Sequence, residues 1–438
     1  MASESDPRDV DALRRRTRRV LVAGVALGST GHIAAVTIAT IAAAELAGST
    51  TLAGAPGAAI VGGAAIGSAL VGWLAARRGR RPALVAGYSL GVVGAAIATL
   101  AVVAGSFPLL LFGTFLIGFG NSANQASRYA AADLVAPERR ASAIGLVVWA
   151  ATVGAVIGPN LVPVAGGFVV GLGLPEHAGP YLVPVIFVGA AAVLSQLLLR
   201  PDPFEIAHHS SAASPTDAPP AALGDVLRRP VVSAAIVALI AGQVVMTFIM
   251  TMTPLHMADH GHGLDTVGLV ISAHTFGMFA LAPISGRLTD RFGSVPVVFL
   301  GTAVLAVASG LAAAAPPDAE AVLLAALFLL GWGWNLGFVA GSALLTAGVS
   351  LAERARAQGL TDALIWSAAA VASAGSGVVV ALAGYATLGI VGVGIVAVPV
   401  FVLASRRSRI AASLALPPSA PPRPPTPVPA ELDVAGEI

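Results

Sequence analysis

Four groups of residues in this sequence are of types that do chemistry, and each lies within or beside a long apolar run. In the first, Gly28-Ser29-Thr30-Gly31-His32, an imidazole stands thirteen residues after Arg19, roughly 20 Å along a helix and well inside a hydrocarbon core of about 30 Å. His274 stands thirteen residues before Arg287, at the same depth, so the two histidines are candidates for handling a proton or a cation, against the plainer role of bonding a neighbouring carbonyl. The second group is Asn121, Asn124 and Arg128, spaced 3 and 4, which places them in one stripe on one helix face. A stripe holding an arginine cannot face lipid; it faces a wet cavity or a network between helices. The third, Gly331-Trp332-Gly333-Trp334-Asn335, offers aromatic surface and one amide. Together the two stripes suit a solute with both apolar and polar parts. The fourth, His256, Asp259, His260 and His262, has the donors of a metal site, but Gly261 and Gly263 favour a solvated loop and no fourth ligand is evident, so His256, His260 and His262 are weak candidates and no metal is expected.

Composition narrows the classes. Of 438 residues, 56% are hydrophobic and 11% charged, where a soluble domain carries about 25% charged residues. The chain is therefore expected to be an all-α integral membrane protein. Every one of its 24 basic residues is arginine, yet no basic surface interleaved with aromatics appears, so nucleic acid is not an expected partner. The absence of cysteine excludes disulfides, thiolate metal sites and a cysteine nucleophile. No activated nucleophile or carboxylate pair accompanies the histidines, so neither an enzyme nor a cofactor is expected. The partner expected from composition is the lipid bilayer.

Twelve runs are long enough to span a bilayer, near 20–45, 52–76, 82–104, 107–134, 140–170 and 180–199, then 230–256, 264–287, 294–315, 319–349, 357–384 and 386–405. Arginines fall on alternate connections, from Arg14–Arg19 to Arg406–Arg409; the positive-inside rule makes that face, and both termini, cytoplasmic in the cell membrane. The expected organisation is a cytoplasmic segment 1–19, a six-helix bundle 20–200, a cytoplasmic linker 201–229 rich in Pro, Ala, Ser and Asp that lets the halves rock, a second bundle 230–412, and a disordered Pro-rich tail 413–438, either inert or a docking peptide.

A repeat ties the halves together. Gly286 to Gly293 reads GRLTDRFG, and subtracting 214 (286 − 72) from each position lands on Gly72 to Gly79, GWLAARRG. Gly72 matches Gly286, Arg77 matches Arg291, Gly79 matches Gly293 and Pro82 matches Pro296. The same offset sets Gln243 against Ser29, so both first spans carry polarity at one depth. Two copies of one bundle joined at charged tight turns give two pseudo-symmetric six-helix bundles.

These loops resemble the signature of the major facilitator superfamily, where they join the second and third helices of each half on the cytoplasmic side. The resemblance covers roughly residues 18–410 and implies alternating access about a midplane site, with Gly72, Arg77, Gly79, Arg80, Gly286, Asp290, Arg291 and Gly293 at a cytoplasmic gate and Asp133 as partner for Arg77 or Arg80. The fifth span, with Gly145, Gly154, Gly158 and Pro159, is similar to the antiporter motif of drug–proton exchangers; its small-xxx-small face lets another helix approach closely, and Pro159 bends it. Three departures stand out. Asn160-Leu161-Val162-Pro163 follows where paired glycines are expected, the loop aspartate is Ala76 in the first half, and Thr114 stands where exchangers often carry an arginine. Asp362, in the first turn of the eleventh span, either replaces the charge missing at Ala76 or favours its own helix N-terminus. The resemblance implies efflux of a small-molecule substrate, partly apolar, in exchange for protons by a monomer; the alternative is a facilitator or proton-symport importer of a small metabolite with the same fold.

Overall fold

A bilayer core offers no water to backbone amides, so an apolar chain satisfies them within helices. The computed structural model describes residues 7–48, 52–210, 221–316 and 319–415, which form helices with no strand among them. In chain order these are α1 (Pro7–Ala47), α2 (Ala55–Arg78), α3 (Arg80–Val103), α4 (Phe107–Asp133), α5 (Arg140–Val170) and α6 (Gly179–Leu198), then α7 (Pro203–Ser210) and α8 (Leu223–Arg228). The second set is α9 (Pro230–Met250), α10 (Thr253–Asp259), α11 (Leu264–Phe279), α12 (Ala282–Phe292), α13 (Ser294–Ala314), α14 (Glu320–Ala347), α15 (Leu351–Ala383), α16 (Ala386–Ser405) and α17 (Arg407–Ala415). Twelve spans result, with α11 and α12 forming one broken span.

Eleven helical stretches among the described residues are long and apolar enough to cross a membrane. The one that falls short is α4, because Asn121, Ser122, Asn124, Gln125 and Arg128 sit in its middle. That helix is buried along most of its length, which is how a polar span is kept from lipid.

Local signals set the ends. Gly79 and Gly293, which close α2 and α12, have φ of 95° and 90°, a left-handed conformation that favours glycine; the repeat of sequence is a repeat of backbone. Ser106 caps α4 by accepting from the Leu109 amide, and Ser350 with Glu353 forms a capping box on α15.

The eighth span, expected to run unbroken, breaks at Ala280 and Leu281. Pro283 has no N–H for the Phe279 carbonyl, and Asn335 Nδ2 takes up the Met278 carbonyl at 2.6 Å. The linker also differs from a free tether. Its described ends are helical, Ile206 and Val226 are buried, and Asp202 accepts from the amides of Arg80 and Arg81, capping α3. Residues 211–220 lie outside the described residues. So does the proline-rich tail beyond residue 415, while Ser413 ends no bundle but continues α17.

Helices α1 to α6 pack on one another, as do α9 and α11 to α16; the main meetings between the two sets are α2 with α15 and α5 with α12. Both meetings are backbone to backbone. A Cβ at Gly72 would lie 2.6 Å from Gly359 Cα, and one at Gly286 would lie 2.7 Å from the Ala141 carbonyl, beside Gly145. The offset 359 − 145 = 214 relates these two glycine pairs, so the seams are pseudo-symmetric copies.

Candidate functional site

The polar stripe of α4 ends in a fully occupied cation. Arg128 is 1% exposed, and its Nε donates to Ser342 Oγ, Nη1 to the Gln125 carbonyl and to Gln125 Oε1, and Nη2 to Tyr129 and to Asp362 Oδ1 at 2.6 Å. Five N–H groups thus meet five acceptors. Two aromatic rings pack against it as well, the centroids of Tyr129 at 4.1 Å and Phe338 at 4.4 Å from the guanidinium carbon. Ser342 is Arg128 plus 214, so the contact between α4 and α14 joins equivalent positions of the two halves. Asp362, on α15, makes the ion pair an inter-half contact.

Beside this pair lies a cavity of about 800 Å³ between the halves. Ser29, His32 and Thr37 of α1, Asn121, Asn124, Gln125 and Arg128 of α4, and Thr152, Pro159 and Asn160 of α5 form a polar side. Phe276 and Phe279 of α11, Trp334 and Phe338 of α14 and Trp366 of α15 form an aromatic side. Gly331 and Gly333 let α14 approach α11 and α13, which turns Trp334 inward. Its Nε1 donates to Gln243 Oε1 at 2.9 Å, and Gln243 Nε2 donates to Thr247; the indole is held edgewise to Phe279 and stacked on Phe338 with centroids 4.6 Å apart. Gln243 is therefore a support behind the cavity.

At the arginine-rich face the halves are clamped. Asp133, whose side chain is inaccessible to solvent, accepts from Arg80 at 2.8 Å and from Arg354 at 2.9 Å. Arg80 also donates to Gln358 Oε1, and Gln358 Nε2 donates to Thr346. At the other seam the Asp290 carboxylate accepts from the amides of Ala141 and Ser142, each at 3.0 Å. Those amides are among the unpaired donors of the first turn of α5, so one carboxylate of α12 caps a helix of the opposite half. Arg229 and Glu353 add a two-bond pair beside the clamp.

Several expected placements differ. His274 is 1% exposed and lies between α11 and α14, its Nδ1 on the Leu327 carbonyl, so it does not share the cavity with His32; an equal count of residues from an arginine does not fix which helix face is turned inward. Asn335 is fully buried and bonds Ser285 and the Met278 carbonyl; it mends the α11–α12 break and is not a cavity amide. Asp362 is not at a helix start, because α15 begins at Leu351, and it pairs with Arg128 and not with the loop beside Ala76. Arg77 stacks over Trp73 and Arg291 over Phe292, leaving Arg80 as the partner of Asp133.

On α5, Gly154 and Gly158 meet α1: a Cβ there would lie 2.5 Å from Ser29 C and 2.9 Å from the Thr30 carbonyl. Gly145 faces the other half across Gly286, and Pro159 sits in a helix that stays continuous. His256 and Asp259 lie on α10, a short helix where a loop was expected. His256 stacks on Tyr385, His260 bonds the His256 carbonyl and His262 faces Glu320; no three metal-binding side chains converge among the described residues. The residues missed by sequence are Tyr129, Ser342, Arg354, Gln358 and Gly359. The 214 offset from Arg128 and Gly145 could have found Ser342 and Gly359; Gln358 and Tyr129 carry no such signal.

The family profile described as Major Facilitator Superfamily matches residues 20–267 and 246–432. The chain is similar to the MFS-type transporter YddS of Bacillus subtilis, 35% identical over 408 residues that cover 92% of this chain and 93% of that protein. It is similar to the riboflavin transporter RfnT of Brucella anthropi, 32% identical over 71% of this chain and 75% of that one. Its fold resembles the crystal structure of the transporter FucP in the outward conformation, with a TM-score of 0.71 at 17% identity over 89% of this chain and 98% of that chain.

Proposed function

The chain belongs to the major facilitator superfamily, a family of membrane transporters and not of enzymes, and on that premise we propose that it exports a small, partly apolar solute across the cell membrane in exchange for protons, as a monomer working by alternating access. The observation that carries this reading is the contrast between the two ends of the inter-half space. Both seams are closed on the arginine-rich face by Asp133 and Asp290, while the cavity lies on the far side of Arg128 and Asp362. With that face cytoplasmic by the positive-inside rule, as are both termini, the arrangement is a state with the inner gate shut. Rocking the halves, each of the expected extents 20–200 and 230–412, would part α2 from α15 and α5 from α12 and admit solute from the cytoplasm.

A second reading, import or facilitated passage by the same fold, is favoured by two observations. Thr114 hydroxyl donates to the Leu110 and Leu111 carbonyls, so the position at which exchangers often carry an arginine has no charge, and a relative bears the name of a riboflavin transporter. Uptake into proteoliposomes with an imposed proton gradient separates the two. Exchange requires accumulation in vesicles with an acidic lumen and collapse of that gradient by solute. Accumulation only with an acidic exterior, or equilibration indifferent to pH, would replace export by symport or facilitation.

A further inference from the structure

We infer that the cavity is built for a flat, uncharged aromatic heterocycle with hydrogen-bonding edges, its face against Trp334 and Phe279 and its polar edge toward Asn121 and His32; this deepens the transport reading and rests on it. The ionisable groups lining the cavity are Arg128 and His32. Arg128 has no donor to offer an anion, since all five N–H groups are engaged and the Tyr129 and Phe338 rings pack against the guanidinium. A carboxylate or phosphate would have to displace Asp362 from a 2.6 Å contact. A cation fares no better, because the cavity lining contains no carboxylate and Asp362 lies behind Arg128. A charge brought into this space would be desolvated without a partner.

The two walls supply what a neutral ring needs. Trp334 is fixed by Gln243, with Phe338 stacked on one side of the indole and Phe279 at a T-shaped angle to it, and Phe276 and Trp366 also line that side; offset and edge-to-face ring contacts favour a flat π-system over a sugar. Across from them, hydrogen-bonding groups have unused capacity. Asn124 Oδ1 accepts from Tyr88 but leaves its Nδ2 free. His32 Nδ1 and the Thr152 hydroxyl are buried without a partner, and both line the cavity. Amide, imidazole and hydroxyl together can donate to ring carbonyls and accept from ring N–H groups.

Riboflavin, whose ring fluorescence is quenched on stacking, tests this on the full chain purified in detergent, against its phosphate ester flavin mononucleotide and against xylose. Saturable quenching by riboflavin is expected, with binding of the dianionic ester at least about tenfold weaker and no displacement by xylose at matched concentration. Trp334→Leu and Phe279→Leu keep the wall apolar and remove a ring, and each should weaken binding about tenfold at a melting temperature near that of the wild type. Absence of quenching, equal affinity for the ester, unchanged affinity in both variants or displacement by xylose would each overturn the inference. Counterflow of labelled riboflavin in proteoliposomes reads the transport function separately: binding in the expected order without counterflow supports the ligand class and counts against the transport reading.

Discussion

Arg128 illustrates why a side chain's type decides its use. A guanidinium presents five donors in one plane, and here each meets an acceptor from α4, α14 or α15, with the rings of Tyr129 and Phe338 within 4.4 Å of its central carbon. Lysine has a point charge and three donors, so Arg128→Lys should lose the stacking and at least two of the bonds. Asp362→Asn leaves the cation without its counter-charge, a change that typically costs about 3–5 kcal/mol in a buried pair. Both variants should lose most of their transport in proteoliposomes, with Asp362→Asn also melting lower; wild-type rates in both would remove the pair from the transport cycle. His32 and His274 separate on the same grounds. His32 lines the cavity, whereas His274 is wedged between α11 and α14. If protons are coupled through an imidazole, His32→Gln should flatten the pH dependence of transport between about 5.5 and 8.5, and His274→Gln should leave it intact. A wild-type profile in both variants and in the double variant would exclude histidine coupling. Counting from arginines gives both residues the same distance along their helices. Azimuth is not legible in this way, because it depends on α14 pressing its Gly331 against the His274 carbonyl.

Helix α5 works through what it lacks. Gly154 and Gly158 bring its backbone against α1 at Ser29 and Thr30, and the next turn, Pro159 and Asn160, reaches the cavity. A leucine at Gly158 would push α1 away, and overpacking of this kind costs about 1–3 kcal/mol. Gly158→Leu should therefore melt several degrees lower and transport poorly, because His32 rides on the displaced helix; an unchanged melting temperature and rate would show that the two helices do not bear on one another. The spans themselves could be read from apolar length and arginine placement, most ends to within a few residues, although α1 begins at Pro7 and not near 20, α9 ends at Met250 and not near 256, and α15 begins at Leu351 and not near 357. The break between α11 and α12 could not, since its residues are apolar on both sides and proline is tolerated in spans that continue. The same break explains the misreading of Asn335. It stands at Asn121 plus 214, and symmetry alone would put both amides in the cavity, but the second half needs one of them for the freed Met278 carbonyl. Asn335→Ala should lower thermal stability by about 1–3 kcal/mol, the typical penalty for a buried carbonyl left unpaired, with less effect on affinity than Asn121→Ala.

At the scale of the whole molecule, two equivalent seams are closed by different chemistry. Gly72 with Gly359 and Gly145 with Gly286 give both the same close backbone approach. On the α5–α12 seam a carboxylate then caps a helix, Asp290 on the Ala141 and Ser142 amides. On the α2–α15 seam that position is Ala76, and the charge lies instead in Asp133 between Arg80 and Arg354. The sequence showed the loss of the aspartate but not its replacement, because Asp133 and Arg354 are 221 residues apart and meet only when the halves close. Both clamps tie elements that must separate for the cavity to open inward, so each should hold the closed gate. A chain without cysteine allows this to be measured with a single reporter thiol, Ser142→Cys, at the α5–α12 seam. Adding Asp290→Asn removes the charge from two amide bonds, each worth about 1.5–3 kcal/mol when charged. Maleimide labelling from the arginine-rich face should then quicken severalfold while transport falls, since a gate that opens too readily uncouples the cycle. Unchanged labelling and transport at wild-type protein levels would show that Asp290 only shapes the loop and that the seam is held by its glycines.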